Sequence, residues 1–486
     1  MALRERIGEE KEMSERTNGE CRHPNCQQAK KHPGHKSGLL KRKTARGRQT
    51  VAIVRYEKPL ESVRKAVELA RGLDSLPANA QVFIKPNIVF WTRATSFPKW
   101  GVITTSRVVE DMVILLKERG VAGITLGEGT VTRDPKDKET AAHAFEALGY
   151  GTLKKRYGIK CVNVFDRPFE KVDLGAGVVL NFNSDILHSD FVVNLPVLKT
   201  HAQTVVSLGI KNLKGVIDIA SRKKCHSADP EMDLNYMIAR LPNRLPPSFT
   251  LLDGIYTNER GPGFDGRIRR SNILVASSDM LSADMVGAQV LGYDPSEVSH
   301  LVHAAQVRQR PPDLSGIEVV GERIEDVASR HEYNFSYNKA GTLPRSMEKR
   351  GIKGLSYRKY DLTLCTYCSA LNGVILTAIA YAWKGEPWDD VEVLTGKVMK
   401  PTPGKKKTIL IGKCMYQANK DDPNIQEMIA VKGCPPSPRA IVRAFHRAGI
   451  EVNPAILEHI DIVPGFFWRQ YEGRPEFEES FFTLDR

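Results

Sequence analysis

The sequence predicts an α/β protein: a large domain on a largely parallel sheet, followed by a second, smaller α/β domain that bears cysteines. Three observations lead there. From residue 49 onward, short apolar, β-branched runs alternate with segments of helical spacing, the pattern of strands joined by crossover helices. A second, shorter alternation begins near residue 346. The first 48 residues show neither period and are rich in charge, Gly and Pro. The expected organisation is therefore a tail at 1–48, a large α/β domain at 49–345 and a smaller one at 346–486.

The tail is basic and reads as mostly disordered. It holds 13 Lys/Arg against 6 Asp/Glu, half of the chain's net charge of +14 in a tenth of its length. The charge thus describes an arm rather than a nucleic-acid-binding core, and nucleic acid is not an expected partner of the core. The weaker alternative is nucleic-acid binding through residues 27–48, which carry 8 Lys/Arg and no acid. Within the tail, "CRHPNCQQAKKHPGH" places Cys21, Cys26, His32 and His35 close together. Two thiols and two imidazoles can complete a tetrahedral zinc site, although scattered residues of a flexible tail explain the same stretch.

In the large domain, strands are expected at "QTVAIVRY" (49–56), "AQVFIKPNIV" (80–89), "AGITLGEG" (122–129), "CVNVFD" (161–166), "DFVVNLPVL" (190–198), "SFTLLDGIY" (248–256) and "RSNILVASSD" (270–279). Helices are expected at 61–73 and at 104–120, the latter with a Thr/Ser start and a Gly stop. In the smaller domain, strands are expected at "YDLTLCTYC" (360–368), "DDVEVLTG" (389–396) and "TILIGKC" (408–414), with a helix over 371–383 and another after Cys434.

The four cysteines there, Cys365, Cys368, Cys414 and Cys434, follow the pattern C-x2-C-x45-C-x19-C. Strand ends and helix starts are where sites assemble in α/β sheets, so the thiols are expected to converge. A [4Fe-4S] cluster and zinc both accept four thiolates. "GCPP" and the single C-x2-C knuckle favour the cluster, with zinc as the alternative. Cys161 reads as a small core residue and Cys225, among basic neighbours in "SRKKCHSADP", as a surface-loop thiol.

The longest apolar run, "LNGVILTAIAYAW", has 13 residues and is too short to span a membrane. The first twenty residues lack the apolar stretch of a secretory signal. A cytoplasmic location is expected, where clustered cysteines serve metal or redox chemistry more often than disulfides.

Four ordered stretches, "FIKPNIV", "SDFVVNLPVLKTHAQTVVSLGIKNLKGVI", "LLDGIYTNERGPGFDG" and "SSDMLSADMVGAQVLGYDP", resemble the domain-of-unknown-function family numbered 362, over roughly residues 50–300. The resemblance implies an uncharacterised iron–sulfur-centre protein, because members often carry a ferredoxin-like cysteine cluster. The looser cysteine spacing here makes that analogy less direct. "LCTYC…GKC…GCPP" resembles, in order rather than spacing, the proximal-cluster site of hydrogenase small subunits and the related respiratory-complex subunit.

The second stretch sets Lys199, His201, Lys211 and Lys214 among small and apolar residues. A buried lysine without an acidic partner is costly, so these cations are expected to meet an anion. Strand ends should bring Lys85, Asn87, Asn212, Asp253 and Glu259 to the same crevice, binding a carboxylate- or phosphate-bearing small molecule. Solvated lysines are the bland alternative. Asp279 and Asp284 read as helix caps. Lys199 and Lys211 are assigned to charge neutralisation and His201 to proton transfer. The leading expectation is an iron–sulfur oxidoreductase acting on that anion. The alternative is a non-enzymatic electron carrier, or a metallocofactor maturation factor, working with a partner protein.

Overall fold

The computed structural model describes residues 48–130 and 137–484, and Gly47–Arg486 forms one compact unit. Cys21, Cys26, His32 and His35 lie outside the described residues.

Sixteen strands are described. Those of the large sheet are β1 (Gln49–Arg55), β2 (Gln81–Pro86), β3 (Gly123–Glu128) and β4 (Lys160–Asn163), then, after the hairpin β5 (Phe169–Asp173) and β6 (Val179–Asn183), β7 (Phe191–Leu195), β8 (Val197–His201), β9 (Val205–Ser207), β10 (Ser248–Glu259), β11 (Arg267–Ser277) and β12 (Ile317–Gly321). The large sheet runs β12-β1-β11-β10-β7-β2-β3-β4, with β8 beside β10 and β9 beside β8. Its pairs are parallel except where β11 meets β1 and β10, and where β9 meets β8. A smaller, all-parallel sheet follows: β13 (Leu355–Tyr357), β14 (Val391–Leu394), β15 (Lys407–Ile411) and β16 (Glu427–Val431), in that order.

Both faces of the large sheet are covered, which is why its strands read as continuous apolar runs rather than alternating ones. Ala52, Val82 and Val193 join one core, while Val51, Phe83 and Val192 join the other. A separate core, including Tyr357, Ile375, Ile409 and Phe445, fills the smaller sheet's surroundings. The last described residues return to the large sheet: Tyr471, Phe477 and Phe482 pack with Trp100 and Tyr256 in its first core. Among the described residues no helix is long and apolar enough to cross a membrane.

The expected strands of the large domain form within a few residues of their predicted limits. Two expectations in the smaller domain are corrected. Residues 360–365 are not a strand: Asp361 Oδ1 accepts from Thr363 N at 2.7 Å, turning the chain, and Cys365 precedes the helix Thr366–Ala382. The strand "TILIGKC" stops at Ile411, because Gly412 adopts φ 95° and Cys414 enters the helix Lys413–Asn419.

Candidate functional site

The site is built outward from an ion pair. Lys85 on β2 and Glu128 at the end of β3 occupy neighbouring parallel strands, and Lys85 Nζ donates to Glu128 Oε2 at 2.6 Å. All three ammonium donors are used, the others by Pro86 O at 2.6 Å and Asn212 Oδ1 at 3.3 Å. Glu128 also accepts from Ile88 N at 2.9 Å and from Gly129 N at 2.8 Å. Burial lowers the pKa of Lys85, with Glu128 opposing the shift. Gly215 gives the pair its room: a Cβ there would sit 2.2 Å from Glu128 Oε1 and 2.5 Å from Lys85 Nζ.

The short helix Gly209–Asn212 is anchored over these strand ends. Asp284 accepts from Gly209 N at 2.6 Å and Ile210 N at 2.8 Å. Asn194 Nδ2 donates to Gly209 O at 3.0 Å, and Asn212 Nδ2 donates to Asn194 Oδ1 at 2.8 Å. Asp279 caps its own helix through Ser282 N, whereas Asp284, inside that helix, caps a different one. Burial pushes the Asp284 carboxyl up to about 7.

Around this anchor four basic side chains gather within electrostatic reach of one another, forming a basic chamber of the buried interior. Lys199 on β8 is fully buried and donates to Val102 O at 2.8 Å. Burial brings its pKa down to about 7. His201 ends β8, and its Nδ1 accepts from Gln203 N at 3.1 Å, which leaves the neutral ring's proton on Nε2. Burial, then the charges of Lys211 and Lys214, hold it well below the usual histidine range. His201 is thus suited to hold a ligand through Nε2–H rather than to act as an imidazolium. Lys214 Nζ lies 2.9 Å from His226 Nε2, and His226 Nδ1 donates to Leu362 O at 2.8 Å. Burial brings Lys214 down to about 8, so it has a proton to give near neutral pH. Lys211 is half-buried, and among the described residues its Nζ has no hydrogen-bond or ion-pair partner. Burial, then the charges of Lys214 and Lys199, hold it well below the usual lysine range.

Arg222, on the Asp218-capped helix Ile219–Cys225, adds a further cation. It donates to Gly129 O and Gly215 O, both at 2.9 Å, and lies over the Phe165 ring. Glu128 is the carboxylate that tempers both Lys199 and Arg222, and Lys85 already holds it. The chamber therefore has an excess of basic groups and suits an anion. By contrast, in a cleft of about 720 Å³ lined by Arg260, Arg267, Arg269, Arg270 and Arg474, each arginine has a carboxylate partner. Its arginines pair with Glu332, Glu259, Glu478 and Glu476.

The four cysteines approach one another at one end of the smaller sheet. Cys365 precedes the helix Thr366–Ala382 and Cys368 lies in its first turn. A hydrogen bond from Cys368 holds the Cys365 thiol well below the usual range, helped by backbone amides of Cys368 and Tyr367. Cys414 follows β15 and Cys434 follows β16, and both lie within electrostatic reach of Cys368. Lys223 Nζ stands 3.7 Å from Cys434 Sγ, and Lys214 and Cys365 are near enough to influence each other's charge. The thiols therefore lie beside the basic groups. Among the described residues, no three His, Cys, Asp or Glu side chains are grouped as for a bound metal ion.

Three expected crevice residues have their polar atoms committed to the scaffold. Asn87 Nδ2 donates to Val102 O at 2.6 Å. Asp253 accepts from Thr105 N at 2.7 Å and Ile255 N at 3.1 Å, with its pKa raised by burial. Glu259 is buried against Arg267 and Arg269. Asn212 and Lys85 border the chamber through their links to Glu128. Cys225 is not a surface thiol but a buried one, its pKa raised by that burial. Cys161 packs against the first core, as expected.

Sequence reasoning missed Glu128, Arg222 and His226. The signal for Glu128 was present: a lone acid at a strand's end, "LGEG", beside a strand with a lone buried lysine.

The family model described as Domain of unknown function (DUF362) matches residues 82–289. A thylakoid-associated protein of Synechocystis sp. is 28% identical over 253 residues, 51% of this chain and 74% of that protein. A Thermotoga maritima protein of known crystal structure aligns with 52% of this chain and 60% of its own, at 15% identity. Its TM-score of 0.27 is too low to bear on the fold.

Proposed function

We propose, for a chain whose residues 82–289 match the family model described as Domain of unknown function (DUF362), an iron–sulfur oxidoreductase whose basic chamber binds an anionic small molecule. The observation that supports this reading is the closeness of basic groups and thiols: Lys214 is within electrostatic reach of Cys365, and Lys223 Nζ lies 3.7 Å from Cys434 Sγ. The donor set suits a cluster in kind, four thiols of which Cys365, Cys414 and Cys434 lie within electrostatic reach of Cys368. Cys365, Cys368, Cys414 and Cys434 would hold it, and when bound it would supply or accept single electrons. Lys211, Lys214 and His201 would hold the anion, with Lys85, Lys199 and Arg222 setting a positive field behind it. Lys214 would give the proton, and His226 would orient it.

The test is anaerobic purification with iron, acid-labile sulfide and zinc analysis, and thermal melts against phosphorylated and carboxylate metabolites. The reading expects iron and sulfide near four per chain for a cubane, with Cys414→Ser losing most of it. Stoichiometric zinc without sulfide, or no anion that raises the melting temperature, would overturn it.

A further inference from the structure

The chamber's lysines differ in what their amines are free to do. Lys85 uses all three donors, one of them on Glu128. Lys199 is sealed from solvent and bonded to Val102 O. Lys214 is engaged by His226. Lys211 alone of the four is both reachable and, among the described residues, without a partner. Its helix is pinned at its start by Asp284, so its backbone is fixed while its amine is not.

We propose that Lys211 is a nucleophilic amine that forms an imine with the carbonyl of a small oxo acid, whose carboxylate is held by Lys214 and His201 Nε2–H. This rests on the anion-binding reading of the chamber and names its substrate class. A lysine becomes nucleophilic near neutral pH when it is desolvated or placed beside other cations, and Lys211 meets both conditions. Its remaining neighbours supply no counter-charge. His300 is fully buried, within electrostatic reach of Lys211, and held neutral by burial, with its pKa pushed down to about 3. His201 is likewise neutral. Cys225 is buried with a raised pKa and so remains a thiol.

The step balances without an oxidant or reductant. The Nζ lone pair forms the C–N bond, and the carbonyl oxygen takes up a proton. As the C=N bond forms, that oxygen leaves as water, carrying the protons the amine gives up. Lys214 is the group beside it that can lend and recover a proton.

The experiment treats the full chain with glyoxylate, pyruvate or 2-oxoglutarate and sodium cyanoborohydride at pH 6, then maps adducts by mass spectrometry. An ordinary lysine, with a pKa of about 10.4, is almost wholly protonated there. The expected result is one dominant lysine adduct, at Lys211, about ten-fold or more above any other lysine. Lys211→Arg should lose it while keeping the melting temperature. If that variant fails to fold, the adduct map of the unaltered protein decides alone. Adducts spread over many lysines, or none, overturn the inference. Succinate and malonate, which have no keto or aldehyde group, separate the two readings. Stabilisation by them without an adduct leaves the anion site standing, and failure of both overturns both.

Discussion

Lys85 Nζ lies 2.6 Å from Glu128 Oε2, with side chains 0% and 4% exposed. Replacing one partner of such a pair leaves the other charge buried and uncompensated. Glu128→Gln should therefore destabilise the protein by about 3–5 kcal/mol in urea unfolding. The double change Lys85→Met with Glu128→Leu should recover most of that loss, since no charge is then stranded.

Gly215→Ala should also destabilise, by about 1–3 kcal/mol, through overpacking rather than lost charge. The added Cβ would meet both partners of the ion pair, one at 2.2 Å and one at 2.5 Å. Both are held by several hydrogen bonds and cannot swing aside. A thermal melt checks this, and an unchanged melting temperature would show that the pair has room to move.

Anion affinity should fall as pH rises. The folded pKa values of Lys199 and Lys214 are brought down to about 7 and about 8, below the ordinary lysine value. Above these values the amines lose charge in the folded protein and attract an anion less. Calorimetry with succinate at pH 6 and pH 9 should show weaker binding at the higher pH, by up to about ten-fold per pH unit for each proton taken up. A flat profile would mean these lysines do not face the ligand.

Asp284 makes stability itself fall as pH rises. Its folded pKa is raised to about 7, so between its ordinary value and 7 the native state binds a proton that the unfolded chain does not. Its contribution is fully present at low pH and is lost as pH rises through 7. Asp284→Asn should flatten that decline and cost about 1 kcal/mol through a weaker cap on Gly209 and Ile210. Urea unfolding from pH 4.5 to 8, with and without the substitution, measures both effects.

Much of this was legible because burial leaves a local trace. Lys85 and Lys199 stand as lone charges inside apolar strands, and such charges need a reason. Their partners were less visible. Glu128 meets Lys85 only because β2 and β3 pair, and Asp284 meets Gly209 across a separation of 75 residues. The misread strand at 360–365 has a local cause: its apolar alternation was outweighed by the Asp361–Thr363 turn. Asn87 and Glu259 sit near strand ends and Asp253 lies in the middle of β10, but each answers a backbone amide, a carbonyl or an arginine whose position depends on the folded chain.

His226 joins Lys214 to Leu362 O, while Gln203 Nε2 holds Asp361 O at 2.8 Å and Leu364 O at 3.0 Å. Those carbonyls belong to the segment that leads into Cys365, so the chamber and the cysteine loop are mechanically joined. Joined equilibria are reciprocal. Whatever factor a change in the Cys365 loop applies to the anion's affinity, the bound anion must apply to that loop's own equilibrium. On the proposed reading, occupancy of the chamber would become a quantity that the cysteine end can read, and a redox partner meeting that end would meet a different surface according to what the chamber holds.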